Sequence, residues 1–162
     1  MSLERLCYLL QNLSFATEIR ESDWLFPTLE TVHVFALVLV VGSIMLVDLR
    51  LLGYGNQERP YTEVAAEGLP WTWSAFAVAA IAGALLFSSK AVTYYGNIPF
   101  RLKMICLLLA AINMGGFQLL GMRQVAGWDR GKAPFAARFA GGASLTLWIV
   151  IVAAGRWIGF TT

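Results

Sequence analysis

From residue 27 to residue 52 the chain reads PTLETVHVFALVLVVGSIMLVDLRLL, and residues 34–47 within it carry no charge. A helix of this length reaches about 39 Å, enough to cross a hydrocarbon core of roughly 30 Å with some tilt. Three more apolar runs follow, separated by polar, glycine- and proline-containing stretches. The pattern predicts membrane spans over 25–52, 70–92, 99–122 and 137–160. Ahead of them, Leu3, Leu6, Cys7, Leu10 and Leu13 share one side of a helical wheel, with Glu4, Arg5, Gln11 and Asn12 on the other. That stripe predicts an amphipathic helix over 2–13 lying in the membrane surface. It does not read as a signal peptide, because Glu4 and Arg5 interrupt it and no small-residue cleavage site follows. The fold class is therefore all-α: a single integral membrane domain over 1–162, built as a four-helix bundle with an interfacial N-terminal helix.

The punctuation between spans supports this division. Residues 14–23 are polar and acidic and read as a connection, with Ser22 or Asp23 as helix cap and Pro27 tolerated in the first turn. Residues 53–69 read as a loop with a short helix at 61–67, and the second span begins near Pro70. Trp71 and Trp73 at its start, and Tyr94 and Tyr95 past its end, form aromatic belts. Ala75, Ala79 and Gly83 make a small-residue stripe that admits a neighbouring helix. Gly115 and Gly116 mark a packing or flexing point in span three. Gly155 and Gly159 give span four a GxxxG contact signal.

Composition agrees: 58% of the 162 residues are hydrophobic and 14% charged, with mean hydropathy +0.65. Soluble domains carry about 25% charge. A net charge of +2 without a basic run gives no reason to expect nucleic acid as a partner. The two cysteines, Cys7 and Cys106, form no C-x-x-C pair and read as small apolar fillers. The twelve Lys and Arg residues divide evenly between the two sides, so a plain count does not orient the chain. Four spans put both termini on one side, and the basic third loop (Arg123, Arg130, Lys132) favours the periplasmic side for them.

Alternating span directions bring residues to common depths. One polar layer collects Glu30, His33, Ser88, Ser89, Lys90, Lys103 and Arg156. A second, on the opposite side, collects Asp48, Arg50, Asn113, Gln118 and Arg138. Ionisable groups at membrane depth are costly and so suggest function. A buried carboxylate needs a partner, which predicts a pair between Glu30 and Lys103 or Arg156. Asp48 and Arg50 read as anchors of a helix end and its loop.

Glu30 and His33 lie three residues apart on one helical face, a spacing that can hold a metal ion. Glu21, Asp23, waters or a second chain would complete the set. A haem b is the alternative, with His33 as axial ligand, Met104 at the right depth opposite, and nearby cations for the propionates; Met45, Met114 and Met122 lie deeper or across. The structural alternative is that His33 merely ties helices together through Glu30 or Ser88. No Ser–His–Asp constellation with a nucleophile elbow, no P-loop and no dinucleotide fingerprint occurs, so no enzymatic activity is assigned.

The run Glu21-Ser-Asp-Trp-Leu-Phe-Pro-Thr-Leu-Glu-Thr-Val-His33, then Gly42, then Asp48-Leu-Arg-Leu-Leu-Gly53, resembles an uncharacterised family of small bacterial four-helix membrane proteins. Pro70, Trp73, Phe87, Lys103 and Asn113 fit the same pattern. The first span is loosely similar to that of copper-resistance membrane proteins. The resemblance implies an inner-membrane setting and favours metal or haem at His33, although the extra His and Met clusters suited to copper are missing. Three functional expectations follow: a protein binding a metal or haem through His33, with Glu30 beside it and Lys103, Arg156 and Lys90 balancing charge; a non-catalytic subunit or scaffold of a larger membrane complex; and an oligomeric channel or transporter. Small-residue faces on several spans suggest a homo-oligomer.

Overall fold

The structure is a computed structural model that describes residues 2–55 and 58–161, with the side chains of these except 120 and 122–124. The side chains of Met122 and Arg123 thus lie outside the described residues. The described chain is helical throughout, without strands: α1 (Leu3–Gln11), α2 (Ser14–Glu21), α3 (Leu25–Leu52), α4 (Tyr61–Ser89), α5 (Ala91–Gly96), α6 (Ile98–Gly116) and α7 (Phe135–Thr161). After Gly116 the chain widens into a π-helical turn, Phe117–Gly121, then tightens into a 3-10 helix, Met122–Gly127. Four helices are long and apolar enough to cross a membrane. Their outward faces are apolar, with Phe35 69% and Leu108 62% exposed. That is the surface expected where lipid tails are the solvent.

Two stretches fold differently from the sequence pattern. Residues 14–21 form α2 rather than an open connection. Ala16 and Ile19 are buried beneath it. Its Arg20 guanidinium donates to the carbonyls of Gln11 and Ser89, both at 3.2 Å. The Gln11 side chain in turn accepts the Val92 N–H at 3.1 Å. The two short helices are thus tied to the end of α4 and the start of α5. The second difference is α4, which begins at Tyr61 and runs straight through Pro70. An interior proline removes one hydrogen bond and crowds the preceding turn, but packing on α3 spans the defect. Gly68 lets α4 come so close that an added Cβ would stand 2.9 Å from Val47 Cγ2. One turn on, the Ser43 and Thr72 hydroxyls meet at 2.8 Å.

Short polar side chains and a glycine close the helix ends. The Ser22 hydroxyl oxygen accepts the N–H of Trp24 and Leu25 at the head of α3. Asn97 Oδ1 accepts the Phe100 N–H at the head of α6. Gly53, at φ 93°, ends α3 in the left-handed conformation that favours glycine.

The spans pack in an open series. α3 lies against α4 and α7, and α7 against α6, while α4 and α6 make no comparably extensive contact. Near the chain termini this gap is shut by stacked rings: Phe87 of α4 lies 5.2 Å from Phe100 of α6, with Tyr94 beside both. Toward the opposite membrane surface α4 and α6 become the side walls of a cavity.

Candidate functional site: a cavity at the second polar level

The two polar levels have different fates. At the first, His33 of α3 turns into the bundle. A carbonyl can only accept, so His33 Nδ1 carries the hydrogen and donates it to the Ala79 carbonyl at 2.8 Å. That fixes the neutral tautomer and leaves Nε2 as acceptor, and Lys103 Nζ of α6 donates to it at 3.3 Å. Two glycines make room for the pair. A Cβ on Gly83 would stand 2.9 Å from the His33 ring, and one on Gly155 3.5 Å from Lys103 Nζ. All four spans therefore meet at one histidine–lysine contact. Gly159 of the GxxxG pair borders nothing.

The expected carboxylate pairing is not made. Glu30 is exposed, and none of the ion pairs among the described residues involves it. Glu30 lies one turn nearer the start of α3 than His33 and stays exposed there. Glu30 still makes itself felt at Tyr94 in α5, whose phenol is pushed above its ordinary value by burial and, secondarily, by the Glu30 charge. The remaining cations turn to aromatic rings. Lys90 stands over Phe26 at 5.1 Å and Arg156 over Phe160 at 4.7 Å. Ser88 and Ser89 donate to carbonyls of their own helix. Met104 is 49% exposed on the outer face, beside the Lys103 that faces in. Nor does His33 bond to Glu30 or Ser88.

These residues do not fit a metal or a haem. Both His33 nitrogens are engaged, Met104 points outward, and no three His, Cys, Asp or Glu side chains gather among the described residues. Cys7 and Cys106 are both free, Cys106 being buried as apolar filler.

Between the levels the interior is apolar, and Val40 and Ile151 are fully buried there; an apolar constriction at that depth counts against an aqueous path through a single copy. Past them the interior opens into a cavity of about 370 Å³. Its floor is α3 and α7, with Ile44, Asp48 and Trp148; α4 supplies Thr72, Trp73 and Phe76 on one side. α6 supplies Leu107 and Asn113 on the other, and the π-helical turn adds Phe117 and Gln118. Single π turns inside helices are frequent at functional sites. Here the turn re-aims two side chains into the cavity just after the Gly115–Gly116 pair.

Asp48 is the residue that sets this cavity apart. It is only 3% exposed. Ser144 of α7 hydrogen-bonds its carboxyl group, yet Oδ2 is buried without any hydrogen-bond partner. Asp48 thus does not anchor the loop. Arg50 does: Nε donates to the Arg59 carbonyl and Nη2 to the Asp129 carbonyl, both at 3.0 Å. Asn113 Nδ2 donates to the Ala140 carbonyl at 2.9 Å, holding α6 on α7 across the cavity. Arg138 is exposed and takes no part. Depth matching brought Asp48, Asn113 and Gln118 together. Sequence reasoning misses Ser144 and Phe117 and reads Trp148 as a belt or packing residue; the glycine pair before the π turn is a signal for Phe117 alone.

The lid of this end is built from loop residues. The Asp129 carbonyl accepts the Tyr61 N–H at 2.9 Å. Its carboxylate accepts the Thr62 N–H at 2.8 Å and the Thr62 hydroxyl at 2.9 Å. The free donors of the first α4 turn are thereby capped from 67 residues away. The Trp128 ring packs against Tyr61 at 5.3 Å, the two planes tilted by 45°, and Tyr61 lines the cavity.

Fold and cavity together define a multi-pass membrane-type helical bundle with an internal, largely apolar chamber. The chain belongs to a family of unknown function (DUF6644), whose pattern matches residues 23–161. No curated protein and no solved structure matches it.

Proposed function

We propose that the chain is a membrane-embedded binding protein, whose cavity takes up a small amphipathic molecule from the bilayer between α4 and α6. One observation carries the reading: the buried Asp48 Oδ2, without a partner, on the wall of a chamber of about 370 Å³. Native proteins pair nearly all buried polar atoms. Asp48 is itself among the residues lining the chamber, so a ligand's donor is the most direct partner for its unsatisfied oxygen. The apolar walls suit the rest of such a molecule.

The reading is of binding, not of catalysis. It places the protein in a bacterial inner membrane, with both termini on the periplasmic side, and accommodates a homo-oligomer or a larger membrane complex around the outer faces. Copper or haem handling through His33 has no support in the arrangement of that residue.

The test is photolabelling in lipid nanodiscs with adamantyl diazirine, a small apolar carbene source. Lipid-facing residues such as Leu108 and Ile112 will be labelled in any case. The expected result is additional label on Ser144 and Trp148, inside the bundle. Label confined to lipid-facing residues sinks the reading.

A further inference from the structure

We infer that the preferred occupant of this cavity is an apolar molecule carrying a protonated amine, with its ammonium group at Asp48; the inference rests on the binding reading above. It begins from the solvent. Inside a bilayer an apolar molecule gains little by exchanging lipid tails for an apolar chamber, because the hydrophobic effect does not operate there. Selectivity must come from polar contact and shape.

The polar contact on offer is one-sided. Asp48 is the only Asp, Glu, Lys, Arg or His on the described cavity wall. Ser144 satisfies part of its carboxyl group, and the buried Oδ2 has no hydrogen-bond partner. The described contacts of the nearest cation in sequence, Arg50, run to loop carbonyls instead. An isolated carboxylate in apolar surroundings is expensive, and a counter-charge with N–H donors removes that cost.

The walls favour the same chemistry. Tyr61, Trp73, Phe117 and Trp148 surround the chamber. The faces of aromatic rings attract cations, most strongly where water is excluded. An anionic, acceptor-only ligand, such as a carboxylate or a phosphate, would meet Asp48 with repulsion and find no Lys or Arg among the described wall residues.

The experiment compares three probes of one shape in displacing the diazirine label from Ser144 and Trp148. They are 4-phenylbutylamine, 4-phenylbutan-1-ol and pentylbenzene, in phosphatidylglycerol nanodiscs at neutral pH. The expected result is displacement by the amine at a concentration at least ten-fold lower than by either neutral probe. In Asp48→Asn that advantage should fall to less than three-fold. Equal potency of all three probes overturns the ammonium inference while leaving the binding reading intact. Equal potency of amine and alcohol also overturns it, since donation without charge would then suffice. Absence of label inside the bundle defeats the binding reading itself. The wild-type comparison stands even if Asp48→Asn does not fold. A second set of nanodiscs containing phosphatidylethanolamine separates two sources of the amine. Loss of the cavity label there assigns the site to a lipid ammonium, and its persistence assigns it to a free amphiphile.

Discussion

At the scale of single residues, the strongest constraint is on His33. Its ring is held at both nitrogens, by the Ala79 carbonyl and by Lys103, so it cannot swing aside. A Cβ on Gly83 would stand 2.9 Å from Cε1 and 3.3 Å from Nδ1. Alanine is favoured over glycine in a helix by about 1 kcal/mol, yet overpacking a tight contact costs about 1–3 kcal/mol. Gly83→Ala is therefore expected to destabilise the protein by up to about 2 kcal/mol net, measured by thermal denaturation in detergent micelles. In a His33→Ala background the same change should become neutral or stabilising, because the clash partner is gone and only the helix propensity remains. An equal cost in both backgrounds would show that the ring does not lie against Gly83. The contact explains why Lys103 is accommodated at membrane depth without a carboxylate: a neutral imidazole supplies the acceptor.

At the scale of elements, α4 shows how distant residues finish what local sequence leaves open. Its first turn has free N–H groups and no side-chain cap of its own. The Asp129 carboxylate fills that role from the third loop. Asp129 is held below its ordinary value of 3.8, first by the Thr62 N–H, with the Thr62 hydroxyl and the charges of Arg50 and Arg130 adding to it. The sign follows from linkage: a lowered folded-state value means the tie stabilises fully above 3.8 and is lost as pH falls through the folded value. The Thr62 amide resonance should hold its position on acidification past 3.8 and move only at lower pH. In Asp129→Asn it should not titrate at all. A midpoint at or above the ordinary value would show that the cap is not made. The elements differ in how plainly the sequence announces them. The four spans are visible because a run of eighteen or more apolar residues is a signal of composition, and Ser22 marks the approach to the first by its cap chemistry. α2 is hidden because Glu18 and Glu21 read as loop, while the anchor that orders it is Arg20 reaching a carbonyl 69 residues away. Pro70 suggests a helix start that packing at Gly68 and Thr72 overrides. Inward faces are harder still. In lipid, the outside of a span is as apolar as its inside, so periodicity does not mark the buried side. Depth can be counted along the chain, and this brought Asp48, Asn113 and Gln118 together. Rotation about the helix axis cannot be counted, and it is rotation that leaves Met104 outside while Lys103 beside it faces in.

At the scale of the whole molecule, the arrangement α4–α3–α7–α6 leaves one side of the bundle unsealed, and this decides how a ligand enters. Near the termini the stacked Phe87 and Phe100 and the His33–Lys103 contact latch α6 to α4 and α3. At mid-depth Val40 and Ile151 fill the interior. On the far surface Arg50, Asp129 and Trp128 close the end with loop backbone and ring packing. The remaining way in is lateral, between α4 and α6, from the hydrocarbon itself. Trp148 reports on this route. It is only 8% exposed, so it is shielded from annular lipid, yet it lines the cavity. In a variant retaining Trp148 as its sole tryptophan, reconstituted with lipids brominated on their acyl chains, lateral access predicts strong quenching of Trp148 fluorescence. Quenching should fall when Ala111→Phe fills the chamber from the α6 side. A Trp148 emission untouched by brominated chains would mean that α4 and α6 close on each other in the bilayer, and that anything reaching Asp48 must come through the loop lid instead.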